Sequence, residues 1–76
     1  MNIKIVTETE TFLLNVNFSE SVREIKRKID QHKNYSMDSY RLIFSRKELE
    51  DNRKISDYHI ENGSKVNLIP FIKGGH

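Results

Sequence analysis

The chain has no cysteine and no tryptophan, and only one proline among its 76 residues. Without cysteine it can form neither a disulfide framework nor a thiol nucleophile, which fits a reducing compartment. It also has no run approaching the roughly 18 apolar residues of a membrane-spanning helix, and Met1 leads directly into a strand pattern rather than a signal peptide. We therefore expect a soluble protein of the cytoplasm or nucleus that does not bind membranes.

Residues suited to catalysis are equally sparse. The three histidines, His32, His59 and His76, are far apart and have neither a cysteine nor an HxxxH or paired-carboxylate arrangement near them. A chain of this length buries only about 60% of its unfolded surface, which favours a binding surface over an internal pocket. We expect no enzymatic activity, no cofactor and no metal site.

The charge of the chain is nearly balanced, because 13 lysines and arginines face 11 acidic residues for a net charge of +2. The densest basic run, residues 23–28, falls in a predicted helix. Such a run could contact nucleic acid or a membrane, but a solvated helix face explains it better and is our interpretation. We predict no nucleic-acid partner.

Alternation of apolar and polar residues predicts an opening β-hairpin whose strands flank a polar turn at residues 7–11. The apolar positions of that hairpin are Ile3, Ile5, Phe12, Leu14 and Val16. Ser21 and Glu24 then form a capping-box pattern. Val22, Ile25 and Ile29 follow at helical spacing and predict one amphipathic helix that ends near residues 33–34.

The second half of the chain predicts further strands. Tyr40, Leu42 and Phe44 share one parity in a third strand, and Val66 and Leu68 share one parity in the last. A compact, irregular segment containing Ile55, Tyr58 and Ile60 lies between them. The predicted order is two strands, a helix, a strand, a short strand or turn, and a strand, in one domain over residues 1–73 with a flexible tail at 74–76.

The segment YRLIFSRKELED at residues 40–51, followed by Ser56-Asp57-Tyr58 and later by Gly74-Gly75, resembles the ubiquitin family. The resemblance runs from Met1 to Gly75 with a one-residue deletion near Glu10. It implies an α+β fold, the ubiquitin-like β-grasp, in which a mixed sheet of four to five strands wraps around one α-helix.

A binding surface follows partly from the residues themselves. Side chains alternate between the two faces of a strand. If Leu42 and Leu68 face the helix, Ile43 and Ile69 therefore point to the solvent side. The resemblance implies that these two isoleucines are the centre of a patch that receptors cover with short helices or small helical domains. We call this set the recognition patch; its members are Arg41, Ile43, Arg46, Lys47, Asn67 and Ile69.

This chain departs from the family pattern at several patch positions. Glu8 stands near the hairpin tip where the family has an apolar residue, Asn67 replaces a histidine, and Arg46 replaces a glycine. We therefore expect weak, micromolar docking and a partner choice that differs from that of ubiquitin.

The tail is a second candidate site. In conjugated family members a flexible tail ends in Gly-Gly and presents a carboxylate for activation, so the resemblance implies that Gly74 and Gly75 could serve conjugation once His76 is removed. Pro70 and Phe71 replace an aliphatic residue and an arginine of the family, which favours instead a plain linker. Lys26, Lys28 and Lys47 align with family lysines that accept further modifiers.

Our first prediction is a monomeric ubiquitin-like domain, placed at the N-terminus of a larger protein, that binds proteasomal receptors and ubiquitin-binding helices or domains. The alternative is a covalent modifier joined to target lysines through Gly75 by activating and conjugating enzymes. A scaffold or a basic adaptor for nucleic acid is a third class, which depends only on residues 23–28.

Overall fold

The computed structural model of the chain describes residues 1–36 and 39–71. Its elements are β1 (Asn2–Val6), β2 (Thr11–Asn15), α1 (Val22–Lys33), β3 (Tyr40–Phe44), β4 (Lys47–Glu48), a 3-10 helix (Ile55–Tyr58) and β5 (Lys65–Pro70). The predicted order of elements is confirmed, and β4 is the expected short strand.

The strands form one mixed sheet in the order β2-β1-β5-β3-β4. The central pair β1 and β5 is parallel, and the other pairs are antiparallel. This five-stranded mixed sheet with one α-helix is the expected ubiquitin-like β-grasp architecture. Strand β5 joins the first hairpin to β3, so the first and last strands of the described chain are neighbours at the centre of the sheet.

The helix begins and ends where the sequence predicts. The Ser21 hydroxyl accepts a hydrogen bond from the Glu24 N–H at 3.1 Å, and the Glu24 carboxylate accepts one from the Ser21 N–H at 2.9 Å. Together they complete the capping box. At the other end Asn34 adopts a left-handed conformation, with φ 61°, and its N–H donates to the Asp30 carbonyl at 2.7 Å.

One apolar core lies between the helix and the inner face of the sheet. The residues buried there are Ile3, Ile5, Phe12, Leu14, Val16, Val22, Ile25, Ile29, Tyr40, Leu42, Leu49, Ile55, Ile60, Val66 and Leu68. Phe44 was expected on the same face and packs against this core, although it is only partly buried. The alternation in the sequence therefore identifies the inner face of every long strand.

Tyr40 adds a polar link inside this core. Its hydroxyl lies 2.8 Å from the Asp30 carboxylate and 3.1 Å from the Lys26 carbonyl of the helix. Burial, followed by the hydrogen bond to Asp30, raises the pKa of Tyr40 far above its ordinary value. The phenol consequently stays protonated and fixes β3 against α1.

Glu20 ties the loop before the helix to the helix itself. Its carboxylate accepts hydrogen bonds from the Asn17 N–H at 2.7 Å and from the Lys28 ammonium at 2.8 Å. Burial acts to raise the pKa of Glu20, but the bonds from Lys28 and Asn17 outweigh it and hold the pKa below its ordinary 4.5. The ionised carboxylate therefore stabilises the folded state.

We expect Glu20→Gln to lower the free energy of unfolding by about 1 kcal/mol at pH 7, because the amide keeps a hydrogen-bond acceptor but loses the charge that pairs with the partly exposed Lys28. Because the folded pKa is the lower one, this difference is present above pH 4.5 and is lost as the pH falls through the folded pKa. Urea unfolding at several pH values measures it. Glu61→Gln, at an exposed position, is the control, and equal losses in the two variants would contradict the prediction.

Candidate protein-binding surface

The face of the sheet that points away from α1 carries the candidate surface, and strand pairing determines which side chains are neighbours there. Asn67 of β5 pairs with Val6 of β1 on one side and with Ile43 of β3 on the other. Ile69 pairs with Arg41 and is thus the diagonal neighbour of Ile43. The sheet brings together Ile43, Ile69, Asn67 and Arg41 of the recognition patch.

The two isoleucines differ in exposure. Ile69 is 45% exposed, whereas Ile43 is partly buried between its neighbours. Both nevertheless lie on the outer face, because the residues that alternate with them, Leu42 and Leu68, are buried in the core. The surface at this point is therefore apolar and not covered by the helix.

Arg41 is held in place by two contacts. Its guanidinium carbon lies 5.1 Å from the centre of the Phe71 ring, and its Nη1 lies 3.9 Å from the Glu48 carboxylate. The Phe71 N–H donates to the Ser39 carbonyl at 2.9 Å and continues the pairing of β5 with β3. Among the described residues the buried Arg41 Nε has no hydrogen-bond partner, so Arg41 rests on ring stacking more than on hydrogen bonds.

The other basic patch residues lie at the turn between β3 and β4. Ser45 and Arg46 both have positive φ, 53° and 71°, the conformation of a tight hairpin turn that favours asparagine and glycine. An arginine there costs about 1 kcal/mol or more relative to glycine. Arg46 and Lys47 are both exposed. Lys47 pairs with Phe44, which packs against the core, so the alternation of side chains directs Lys47 to the side of the sheet opposite Ile43.

The three predicted acceptor lysines have different environments. Lys26 is only 7% exposed, and its ammonium lies 2.7 Å from the Asp51 carboxylate. Lys28 is partly buried and contacts Glu20, whereas Lys47 is exposed on β4. The interpretation of residues 23–28 as a wholly solvated helix face is therefore wrong at Lys26, which Asp51 draws against the core.

Sequence reasoning missed three exposed apolar side chains. Leu13 on β2 is 58% exposed, Phe18 after β2 is 63% exposed, and Phe71 is also exposed. The signal for Leu13 was present, since it alternates with Phe12 and Leu14 and must point outward. Phe18 lies outside any alternating pattern, so its exposure follows only from the three-dimensional structure, whereas Phe71 continues the outward alternation of Asn67 and Ile69.

Some of the predicted residues are not described by the structure. Gly74, Gly75 and His76 fall outside them, as do residues 72–73 of the predicted domain. Within residues 1–36 and 39–71 no three histidine, cysteine or acidic side chains are placed to hold a metal ion. The helices of the described part are too short or too polar to cross a bilayer.

Comparison with known proteins agrees with the architecture. A sequence model of the Ubiquitin family matches residues 1–69. Ubiquitin-like protein 1 of Schizosaccharomyces pombe is 29% identical over 99% of this chain and 97% of its own length, and Ubiquitin-like protein NEDD8 of Dictyostelium discoideum is 29% identical over 99% of both chains. Ubiquitin domain-containing protein DSK2 of Saccharomyces cerevisiae is 30% identical over 91% of this chain, but only 18% of its own length is covered.

The contrast between Lys26 and Lys47 makes a chemical prediction. A limiting amount of an amine-acylating reagent should modify Lys47 about tenfold faster than Lys26, because releasing the Lys26 ammonium from Asp51 costs about 1.4 kcal/mol or more. Peptide mass spectrometry over a time course measures both rates. Asp51→Ala should accelerate Lys26 and leave Lys47 unchanged, and equal rates for the two lysines in the parent chain would refute the buried pairing.

Proposed function

The chain belongs to the ubiquitin family, and we propose that it acts by protein recognition in the ubiquitin–proteasome system, with Ile43 at the centre of the contact. The observation that carries the proposal is the uncovered apolar face formed by Ile43 and Ile69 beside Arg41. On this proposal the chain acts by binding other proteins and has no catalytic role. The arrangement of a ubiquitin domain within a longer protein has a precedent in the relative DSK2, by its name and length.

The energy available from this surface suits reversible docking. Covering an apolar side chain of this size contributes roughly 1.5–3 kcal/mol when burial is complete, and both isoleucines are already shielded in part. The exposed cations at Arg46 and Lys47 speed the approach of acidic partners more than they add affinity. Two anchors of this kind are consistent with a micromolar complex once the cost of association is subtracted.

The partners we propose are proteasomal receptors and proteins that carry ubiquitin-binding helices. Such an element places apolar side chains on Ile43 and Ile69 and acidic ones against the basic residues around them. Asn67, which lies between Val6 and Ile43, supplies an amide where the family has a histidine. Partners that depend on that histidine or on an apolar hairpin tip are accordingly expected to bind this chain more weakly.

Ile43→Ala is the direct test. Removing an anchor from the centre of an interface costs more than about 1 kcal/mol, so the dissociation constant should rise at least about fivefold. Calorimetric titration with a peptide that carries a ubiquitin-binding helix, and with a proteasomal receptor domain, gives the number. Phe18→Ala removes an exposed apolar side chain outside the sheet and should change nothing. Unchanged binding by Ile43→Ala would end the proposal.

The second candidate is a covalent modifier, and the Gly74-Gly75 pair in family register favours it. In this reading a hydrolase removes His76, the Gly75 carboxylate is adenylated and passed to an enzyme cysteine, and an isopeptide bond forms to a target lysine. The names of the relatives of similar length, Ubiquitin-like protein NEDD8 and NEDD8-like protein RUB3 of Arabidopsis thaliana, 26% identical, point to the activating enzymes to be tried. Of the predicted acceptor lysines, Lys47 has the most accessible amine.

The modifier function requires an ATP-dependent thioester. The chain ending at Gly75 should form a reductant-sensitive adduct with an activating enzyme, visible as a shift of about 9 kDa on a non-reducing gel. The same chain extended by His76 should form none before trimming. Absence of the thioester with activating enzymes of both the ubiquitin and the NEDD8 type would exclude this candidate.

A further inference from the structure

The apolar surface of this chain does not end at the recognition patch. Val6 of β1 lies next to Asn67, and Leu13 of β2 pairs with Lys4, the outward residue two positions before Val6. Leu13 is therefore the diagonal neighbour of Val6, just as Ile69 is the diagonal neighbour of Ile43. We call the four apolar residues together the apolar band; they are Leu13, Val6, Ile43 and Ile69.

The apolar band crosses four adjacent strands on the outer face. Taken in the order of the sheet, its members come from β2, β1, β5 and β3. Three intervals of about 4.8 Å between neighbouring strands give a width of about 14 Å. Its most open members are Leu13 at the β2 end, 58% exposed, and Ile69 on β5, 45% exposed, whereas Ile43 at the β3 end is partly buried. A contact confined to Ile43 and Ile69 would leave the β2 end, the more exposed one, in water.

The charged residues beside the apolar band are mostly cations. Lys4 and Lys65 pair with each other on one side of it, and Arg41 flanks Ile69 on the other. Glu48 is the acidic residue of this face in the strands, and it already lies 3.9 Å from Arg41. The charge complementary to this frame is negative on both sides of an apolar centre.

Resting on the proposed function, we infer that the docking surface is the whole apolar band, and that its partner is an amphipathic α-helix of about 10 residues or more with acidic residues on both flanks. A helix rises 1.5 Å per residue, so about 10 residues span the 14 Å from β3 to β2. Apolar side chains at positions i, i+4, i+7 and i+11 extend over about 16.5 Å and can meet all four members of the band. Val6 and Leu13 are the specificity-determining residues of this extended contact.

The band also accounts for the hairpin tip. Glu8 offers no apolar side chain in the turn after β1, but Val6 and Leu13 supply apolar surface in the first and third residue pairs after the turn of the same hairpin. The contact area is moved along the sheet toward its β2 edge. A partner selected for this chain should accordingly prefer it over a surface in which positions 6 and 13 are polar.

A designed helical peptide tests the inference with the full chain. The probe has about 16 residues, leucines at i, i+4, i+7 and i+11, and glutamates on both flanks; a second peptide replaces the glutamates with lysines. Isothermal titration should give dissociation constants about threefold to tenfold higher for Val6→Thr and for Leu13→Thr, because each change removes about half of a buried side chain's contribution. Phe18→Thr is the matched control, with no expected change. The lysine peptide should bind more weakly than the glutamate peptide to every variant.

The outcomes separate this inference from the proposed function. Weaker binding by Ile43→Ala with unchanged binding by Val6→Thr and Leu13→Thr would overturn the extended band and leave the patch intact. Unchanged binding by all three would overturn both.

Amide shifts in a 15N-labelled chain should include Lys4 and Leu13 along with Ile43, and circular dichroism should show the peptide gaining helix. A peptide bound as an extended strand, or a chain that is already dimeric in sedimentation without peptide, would also overturn it. Val6→Thr conserves shape, and an unaltered thermal midpoint confirms that it folds.

Discussion

The structure depends on a single helix of 12 residues covering one face of the sheet. A chain without cysteine has no covalent support, so the contact of Ile25 and Ile29 with the inward strand residues must supply most of the stability. One helix can cover one face only. Because the chain is short, none of its described residues covers the opposite face of the sheet. The side chains on that face are therefore available for binding. Stability and recognition reside on the two sides of the same strands.

Because a strand alternates its side chains, a change of pairing by one residue would exchange the two faces. Two polar contacts fix the position of the helix. The capping box at Ser21 and Glu24 sets the start of the helix, and the Tyr40 hydroxyl joins β3 to Asp30 one turn before the helix ends. The parallel pairing of β1 with β5 then places Val6 beside Asn67, although 60 residues of chain separate them. The outer surface is an assembly of distant segments, and its continuity depends on a correctly formed core.

Local patterns in the sequence predict most of this fold. Ser21 and Glu24 mark the start of the helix, and the parity of Leu42 and Leu68 identifies the inward residues, since both signals act over a few residues. The environment of Lys26 could not be predicted, because its partner Asp51 is 25 positions away and belongs to an irregular segment. The stacking of Phe71 on Arg41 likewise requires the pairing of β5 with β3. Arginine itself does not indicate the positive φ of Arg46, and the only signal for it is the glycine that the family has at this position.

The edge of the sheet at β2 has a consequence for aggregation. Val16 and Met1 bond to each other through their backbones, so the alternation along β2 turns the N–H and C=O groups of Thr11, Leu13 and Asn15 away from β1. An edge of this kind can template the addition of a foreign strand, and an exposed leucine in its middle increases the hazard. The Lys28 ammonium donates a hydrogen bond to the Asn15 carbonyl at 3.0 Å, at the end of β2, and Lys33 forms an ion pair with Glu10 just before the start of β2. These charges shorten the stretch of edge to which another chain could add a strand. They thereby reduce the tendency of the exposed leucine to promote aggregation.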